Sequence, residues 1–194
     1  MFKRSIWTVA VFALVMTAST QAYSICGGTV VYDNDCDSNA QAYAESCCPQ
    51  GYRVQGVVYN DLKGQDNTDA IGAVCRHVNN GNVLIASDFQ NRGEKGNKPA
   101  VNYVCDKTEV LAGILCKDLP KKDALDGCTA ICQKPGGQKM IMSNPDLDSN
   151  PRDYVYHTVD LPNRVAGIGY KEEREHTDRA DCGNISYRHE PIVK

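Results

Sequence analysis

The stretch CPQGYRVQGVVYNDLKGQDNTDAIGAVC, residues 48–75, decides the fold, because it returns 57 positions later without a gap. Laid over CDKTEVLAGILCKDLPKKDALDGCTAIC, residues 105–132, it brings Cys48 onto Cys105, Gly56 onto Gly113, Asp61 onto Asp118 and Leu62 onto Leu119. Asp66, Asp69, Ala73 and Cys75 fall on Asp123, Asp126, Ala130 and Cys132. Val57, Val58 and Val74 fall on Ile114, Leu115 and Ile131. A third copy starts at an offset of 111, where Gly56, Val57 and Tyr59 meet Gly167, Ile168 and Tyr170. One inserted residue later, Asp66 and Asp69 meet Asp178 and Asp181, and Arg76-His77 meets Arg188-His189. The copies run roughly over 48–76, 105–133 and 159–188, after a separate N-terminal segment from Tyr23 to Cys47. Self-similarity at a fixed spacing is the mark of a repeat architecture.

Each copy reads as strand, acidic loop, strand. Arg53–Tyr59 is β-branched and apolar, Ala70–Cys75 closes the unit, and Asn60–Asp69 between them carries the Asp, Asn and Gly of turns. Further short strands are expected at Val83–Ala86, Val101–Cys105 and Tyr154–Val159, and a helical turn or two at Ala40–Ser46. Asn91–Pro99 and Lys134–Pro151 read as exposed loops. Three β units of this size predict an all-β, pseudo-threefold architecture that is closed on itself to avoid bare strand edges. A β-prism fits first and a β-trefoil-like barrel second.

The repeat also pairs cysteines. Cys48 and Cys75 are kept together in copy two and lost together in copy three, as Val159 and Tyr187, which is what a bonded pair does. This predicts Cys48–Cys75 and Cys105–Cys132. Cys116 and Cys128 arise together in copy two, where copy one has Tyr59 and Ile71, and are expected to bridge its neighbouring strands. Cys26, Cys36, Cys47 and Cys182 remain, with three connectivities open.

Ten cysteines suit an oxidising compartment, and the N-terminus agrees. Lys3 and Arg4 precede an apolar run from Ile6 to Met16, then small and polar residues with Thr20 and Ala22 before Tyr23. That is the layout of a secretory leader over residues 1–22, with an apolar stretch too short to span a bilayer. Tyr23, Ser24 and Ile25 before Cys26 are too large for a lipoprotein site. Removing the leader takes two positive charges with it and moves the formal net charge from −3 to −5. The remaining residues, 23–194, suit a single disulfide-rich β domain. An acidic chain without a Lys/Arg run argues against nucleic acid or an anionic membrane as partner, and no second apolar segment reaches membrane length. The expected setting is extracellular, or periplasmic if the source is a Gram-negative bacterium.

Cys48-Pro-Gln-Gly-Tyr, Gly56-Val-Val-Tyr and Asp66-Asn-Thr-Asp-Ala-Ile ending at Cys75 together resemble the repeat of vitelline-membrane outer-layer proteins. The resemblance spans roughly Cys47 to Arg188. It implies a β-prism of three sheets, an extracellular setting and handling of chito-oligosaccharides. Asp178-Arg179 near a cysteine is similar to dermatopontin-type matrix proteins.

The candidate site residues follow from the repeat. Asp61, Asp66 and Asp69 recur as Asp118, Asp123 and Asp126, then as Glu172, Asp178 and Asp181. Three acids in one loop offer oxygen ligands for calcium. The competing reading, which recurrence favours, gives Asp69, Asp126 and Asp181 the job of fixing turns through backbone N–H groups. Arg76-His77 and Arg188-His189, just past the closing strands, offer a rim for anionic or hydroxyl-rich ligands, or are solvated strand ends. Tyr59 and Tyr170 are placed to stack on sugar rings or to pack. Asn184-Ile185-Ser186 matches an N-glycosylation acceptor. No nucleophile elbow, zinc-protease or P-loop pattern occurs, and no pair among 24 acids is singled out for glycoside chemistry, so no catalytic residue is assigned. The reading is a secreted, non-catalytic binding or structural module for glycans or an extracellular surface, without a required cofactor. Its alternatives are an oligosaccharide-acting enzyme and a secreted protein-binding factor such as an inhibitor or toxin-like effector.

Overall fold

The structure is a computed structural model that describes residues 24–31, 44–61, 68–86, 100–119, 124–145, 147, 154–172 and 180–189. The leader, Asn91–Pro99 and most of the acidic loops lie outside the described residues.

The three repeats fold into three antiparallel hairpins of ten-residue strands: β4 (Tyr52–Asp61) with β5 (Thr68–His77), β8 (Val110–Leu119) with β9 (Ala124–Gln133), and β12 (Asn163–Glu172) with β13 (Ala180–His189). Short strands flank each hairpin. They are β1 (Ser24–Ile25), β2 (Gly28–Val30), β3 (Ala44–Cys47), β6 (Val83–Ile85), β7 (Val101–Val104), β10 (Lys139–Ile141) and β11 (Tyr154–Thr158). The sheets run β6-β5-β4-β7, β10-β9-β8-β11 and β1-β2-β13-β12-β3. This is an all-β, pseudo-threefold β-prism and not the trefoil-like barrel held second. Its core is one cluster drawn from all three hairpins, with Val57, Tyr59, Ile114, Ile168 and Ile185 fully buried.

The outer strands show how the prism closes. β7 leads into copy two but pairs with β4 of copy one, and β11 leads into copy three but pairs with β8 of copy two. β3 leads into copy one and pairs with β12 of copy three, so the ring is shut by the N-terminal segment. That segment also supplies β2, the neighbour of β13. The Ala73 N–H donates to Ser46 Oγ at 2.8 Å, stitching β3 of the third sheet to β5 of the first.

Two sequence expectations are corrected. Ala44–Cys47 is a strand rather than a helical turn, because pairing with residues 167–170 outweighs the weak local preference of Ala and Glu. Lys134–Pro151 is not all loop, since β10 forms against β9 and Asn144 is buried, donating from Nδ2 to Tyr59 Oη and the Cys128 carbonyl, each at 3.1 Å.

Every hairpin carries a bulge at the same place. The register slips between Val54 and Gly56, between Leu111 and Gly113, and between Val165 and Gly167. The extra residues are Gln55, Ala112 and Ala166. The glycine after each bulge sits where a Cβ has no room. At Gly56 it would lie 2.2 Å from the Tyr103 carbonyl oxygen, at Gly113 2.1 Å from that of His157, and at Gly167 2.2 Å from Cys26 Sγ. In the first two sheets an outer strand's backbone fills the space; in the third, Cys26 does.

Four disulfides are described: Cys48–Cys75, Cys105–Cys132, Cys116–Cys128 and Cys26–Cys47. The first three are the pairs the repeat register singles out. Cys182 is disulfide-bonded as well.

Candidate functional site

The three bulges lie at the end where β4, β8 and β12 begin, and a bulge locally bends its strand. A cavity of about 200 Å³ opens there. Its wall uses equivalent positions of all three repeats: Arg53, Val110 and Arg164 at one level, and Val54, Leu111 and Val165 at the next. It therefore lies on the pseudo-threefold axis. Val54, Leu111 and Val165 are buried and form an apolar floor. Arg188 and the Cys26–Cys47 bond complete the rim.

The rim is held from below. Gln55, a bulge residue, donates from Nε2 to the carbonyls of Asp106 and Glu109, both at 2.8 Å, and so ties the turn that starts copy two to this wall. In that turn the Thr108 N–H and hydroxyl donate to Asp106 Oδ1, each at 2.9 Å. These bonds hold the Asp106 carboxyl below its ordinary value. On the opposite side Cys26 and Gly27 take positive φ (53° and 68°) in the two-residue turn between β1 and β2. A non-glycine residue rarely adopts this conformation outside such primed turns. Cys26 is fixed in it three ways: by the bond to Cys47, by its N–H donating to Glu45 Oε2 at 2.9 Å, and by Arg188 donating from Nη2 to its carbonyl.

Of the sequence's rim residues, Arg188 lines the cavity. Arg76 turns to the carbonyls of Gly81 and Cys105, both at 3.3 Å. His77 packs edge-on against Tyr52 at 4.8 Å and accepts from the Asn79 N–H at Nδ1, while His189 Nδ1 lies 3.3 Å from Asn163 Oδ1. Arg53 and Arg164, which carry the other two positive charges of the wall, were missed. The offset that aligns Gly56 with Gly167 also aligns them, and that was the signal available.

Tyr59 and Tyr170 offer no face to a sugar. Tyr59 is 0% and Tyr170 3% exposed, and the Tyr59 ring stacks on Tyr103 with centroids 6.4 Å apart. Asn184 is not open to glycosylation either, being fully buried with its Nδ2 donating to the Val31 carbonyl at 3.0 Å. Among the candidate calcium ligands, Asp66 and Asp123 lie outside the described residues, as does Asp178 of copy three, and Asp61, Asp69 and Asp118 enter as backbone alone, as does Asp181. Asp126 is buried and accepts from Lys117 Nζ at 2.8 Å, so an ammonium already sits on its carboxylate. Among the described residues the one cluster with metal-ligand spacing is Cys26, Glu45 and Cys47, whose two sulfurs are bonded to each other. No helix of the described residues is long and apolar enough to cross a membrane.

No family model matches the chain, and no curated protein matches it, so the likeness to vitelline-membrane outer-layer and dermatopontin-type proteins rests on the residues quoted above. Among solved structures, the crystal structure of Calystegia sepium agglutinin is similar to it, with a TM-score of 0.48 and 13% identity over 84% of this chain and 97% of that one.

Proposed function

We propose that the protein is a secreted binding module that holds a saccharide of an extracellular surface in the cavity on its pseudo-threefold axis, without catalysing a reaction. One observation carries the reading: beside three equivalent bulges lies one concave, apolar-floored, polar-rimmed site lined by equivalent positions of all three repeats. Concave sites with an apolar lining and a few placed polar groups are the usual form of a ligand pocket. The leader pattern over residues 1–22 and the cystines support export, since disulfides persist in oxidising compartments. Residues 23–194 act as one unit. Asp126 serves its ion pair with Lys117 rather than calcium.

A glycan array with the intact oxidised protein, with and without calcium, tests this. Selective binding unchanged by a chelator is expected. Silence on the array removes the reading, and binding only with calcium moves the site to the acidic loops.

A second reading, docking of a protein, is favoured by the middle sheet. Its edge strands expose Met140, Ile141 and Tyr156, at 65%, 59% and 66%. Edge strands with exposed apolar side chains are templates for association.

A further inference from the structure

The cystine in the rim of the axial cavity has different surroundings from the other described ones. Cys26 and Cys47 are both half-buried, and both line the cavity. Cys105–Cys132 and Cys116–Cys128 are buried at both ends. Cys48 lines the cavity too, but its partner Cys75 is fully buried in the core. Attack on Cys48 would release a Cys75 thiolate among apolar side chains. Burial of that kind raises a thiol's pKa, and a thiol of high pKa is a slow leaving group. Cys26–Cys47 is therefore the described bond that a reductant meets in the folded protein.

The surroundings also suit the open form. The Ser46 carbonyl lies 3.3 Å from Cys26 Sγ, and Glu45 Oε2 lies 3.7 Å from Cys47 Sγ. Each sulfur, once it carries a proton, thus has an oxygen in place to accept from it. The strands do not need the bond to stay paired, since β2 is held by β13 and β3 by β12. Ser46, next to Cys47, is tied to the Ala73 N–H as well. What the bond adds is the turn between β1 and β2. It is the covalent one of the three ties that keep Cys26 at positive φ, a region where residues other than glycine are uncommon.

We propose that Cys26–Cys47 is a redox latch on the axial cavity, opened in the folded protein by a dithiol and closed again by oxidation. A thiolate of the dithiol attacks one sulfur, and the other leaves as a thiolate and takes up a proton. The dithiol's second thiol then displaces the first, which frees the remaining cysteine thiol and leaves the reductant as its own disulfide. Two electrons pass from the dithiol to the cystine. Opening frees the turn at Cys26 and Gly27, and with it the carbonyl to which Arg188 donates. The wall formed by Cys26, Cys47 and Arg188 loosens, while the floor of Val54, Leu111 and Val165 stays in place on the long hairpins. The latch acts on the cavity whatever ligand the cavity holds.

Titration of the intact protein with dithiothreitol under native conditions, followed by pulse alkylation and peptide mapping, tests the latch. Cys26 and Cys47 should be labelled together, at a dithiothreitol concentration at least about tenfold below that needed for Cys48, Cys75, Cys105, Cys116, Cys128 or Cys132. At that concentration amide exchange over residues 24–30 should rise at least about tenfold, with β4, β5, β8 and β9 still protected. Removing the reductant in air should restore both readings. Cys26→Ser with Cys47→Ser should show the raised exchange from the start and no response over the same range. Labelling of all these cysteines in one step, with protection lost throughout, would overturn the latch and make the bond a structural staple. Labelling of Cys26 and Cys47 with exchange unchanged would overturn it too, because the cavity wall would then not feel the bond.

Discussion

Gly56, Gly113 and Gly167 show how a residue can be readable as a position and unreadable as a cause. Their alignment in the sequence marked the repeat; only the structure shows that each is a glycine because a neighbouring strand or a cystine occupies the place of its Cβ. Gly56→Ala and Gly113→Ala force backbone to move, and overpacking of this kind costs about 1–3 kcal/mol. We expect the upper end of that range in urea unfolding, since the obstacle is a carbonyl and not a flexible side chain. Tyr59, Tyr170 and Asn184 fail in the opposite sense. Their chemistry fits a surface role, and their residue types say nothing about burial, which the packing of three sheets decides. Protein that has folded should therefore show no mass shift on N-glycosidase treatment. At Asp106 the direction of a pH effect is fixed. Hydrogen bonds from Thr108 lower its folded pKa below the unfolded value, so their contribution is present above the unfolded pKa and is lost as pH falls through the folded one. Thr108→Val removes the hydroxyl bond, and NMR titration should show the Asp106 carboxyl moving up toward the ordinary carboxylate value.

At the scale of elements, the hairpins were legible because both of their strands recur. β7 and β11 were legible as strands but their partners were not, because they pair with the copy before them rather than their own, and β3, read as helical, pairs with copy three. Such pairing is a tertiary fact, and local propensity cannot report it. Cystines were legible where a repeat kept or lost them together. Cys48→Ala with Cys75→Ala opens a bond of sequence separation 27, and the chain-entropy estimate for such a loop is ~3.5 kcal/mol. Loss of about that size in denaturant unfolding, with the hairpin's partner bond Cys105–Cys132 intact, is the expected outcome. Eight of the ten cysteines form the four described bonds, and Cys182 is bonded too, so counting leaves Cys36 for it. Non-reducing peptide mapping should recover a Cys36–Cys182 peptide; a Cys36 thiol that reacts with alkylating agents would refute this.

For the whole molecule, the segment that stands outside the repeat is what makes the repeat a closed body. Each of the first two hairpins borrows an outer strand from the chain leading into the next copy, and the third is closed instead by the segment ahead of copy one. Residues 24–47 fill that role twice, with β3 beside β12 and β2 beside β13, and they pin the two together through Cys26–Cys47. The same segment builds one side of the axial cavity, so the closure of the ring and the cavity wall share residues. Two variants separate its parts. Cys26→Ser with Cys47→Ser removes the cystine and leaves every strand pairing. It should lower stability by ~3 kcal/mol for a separation of 21 and still unfold in one cooperative step as a monomer. A chain starting at Cys48 behind a secretory leader, with Cys182→Ser to avoid an orphan thiol, removes the pairings themselves. It leaves β12 and β13 as bare, apolar edges, which are templates for joining other chains. We expect size-exclusion chromatography to find it associated, with no cooperative transition on heating. If that truncated chain ran as a monomer and melted cooperatively, three repeats would suffice for the body. The N-terminal segment would then serve the cavity wall alone.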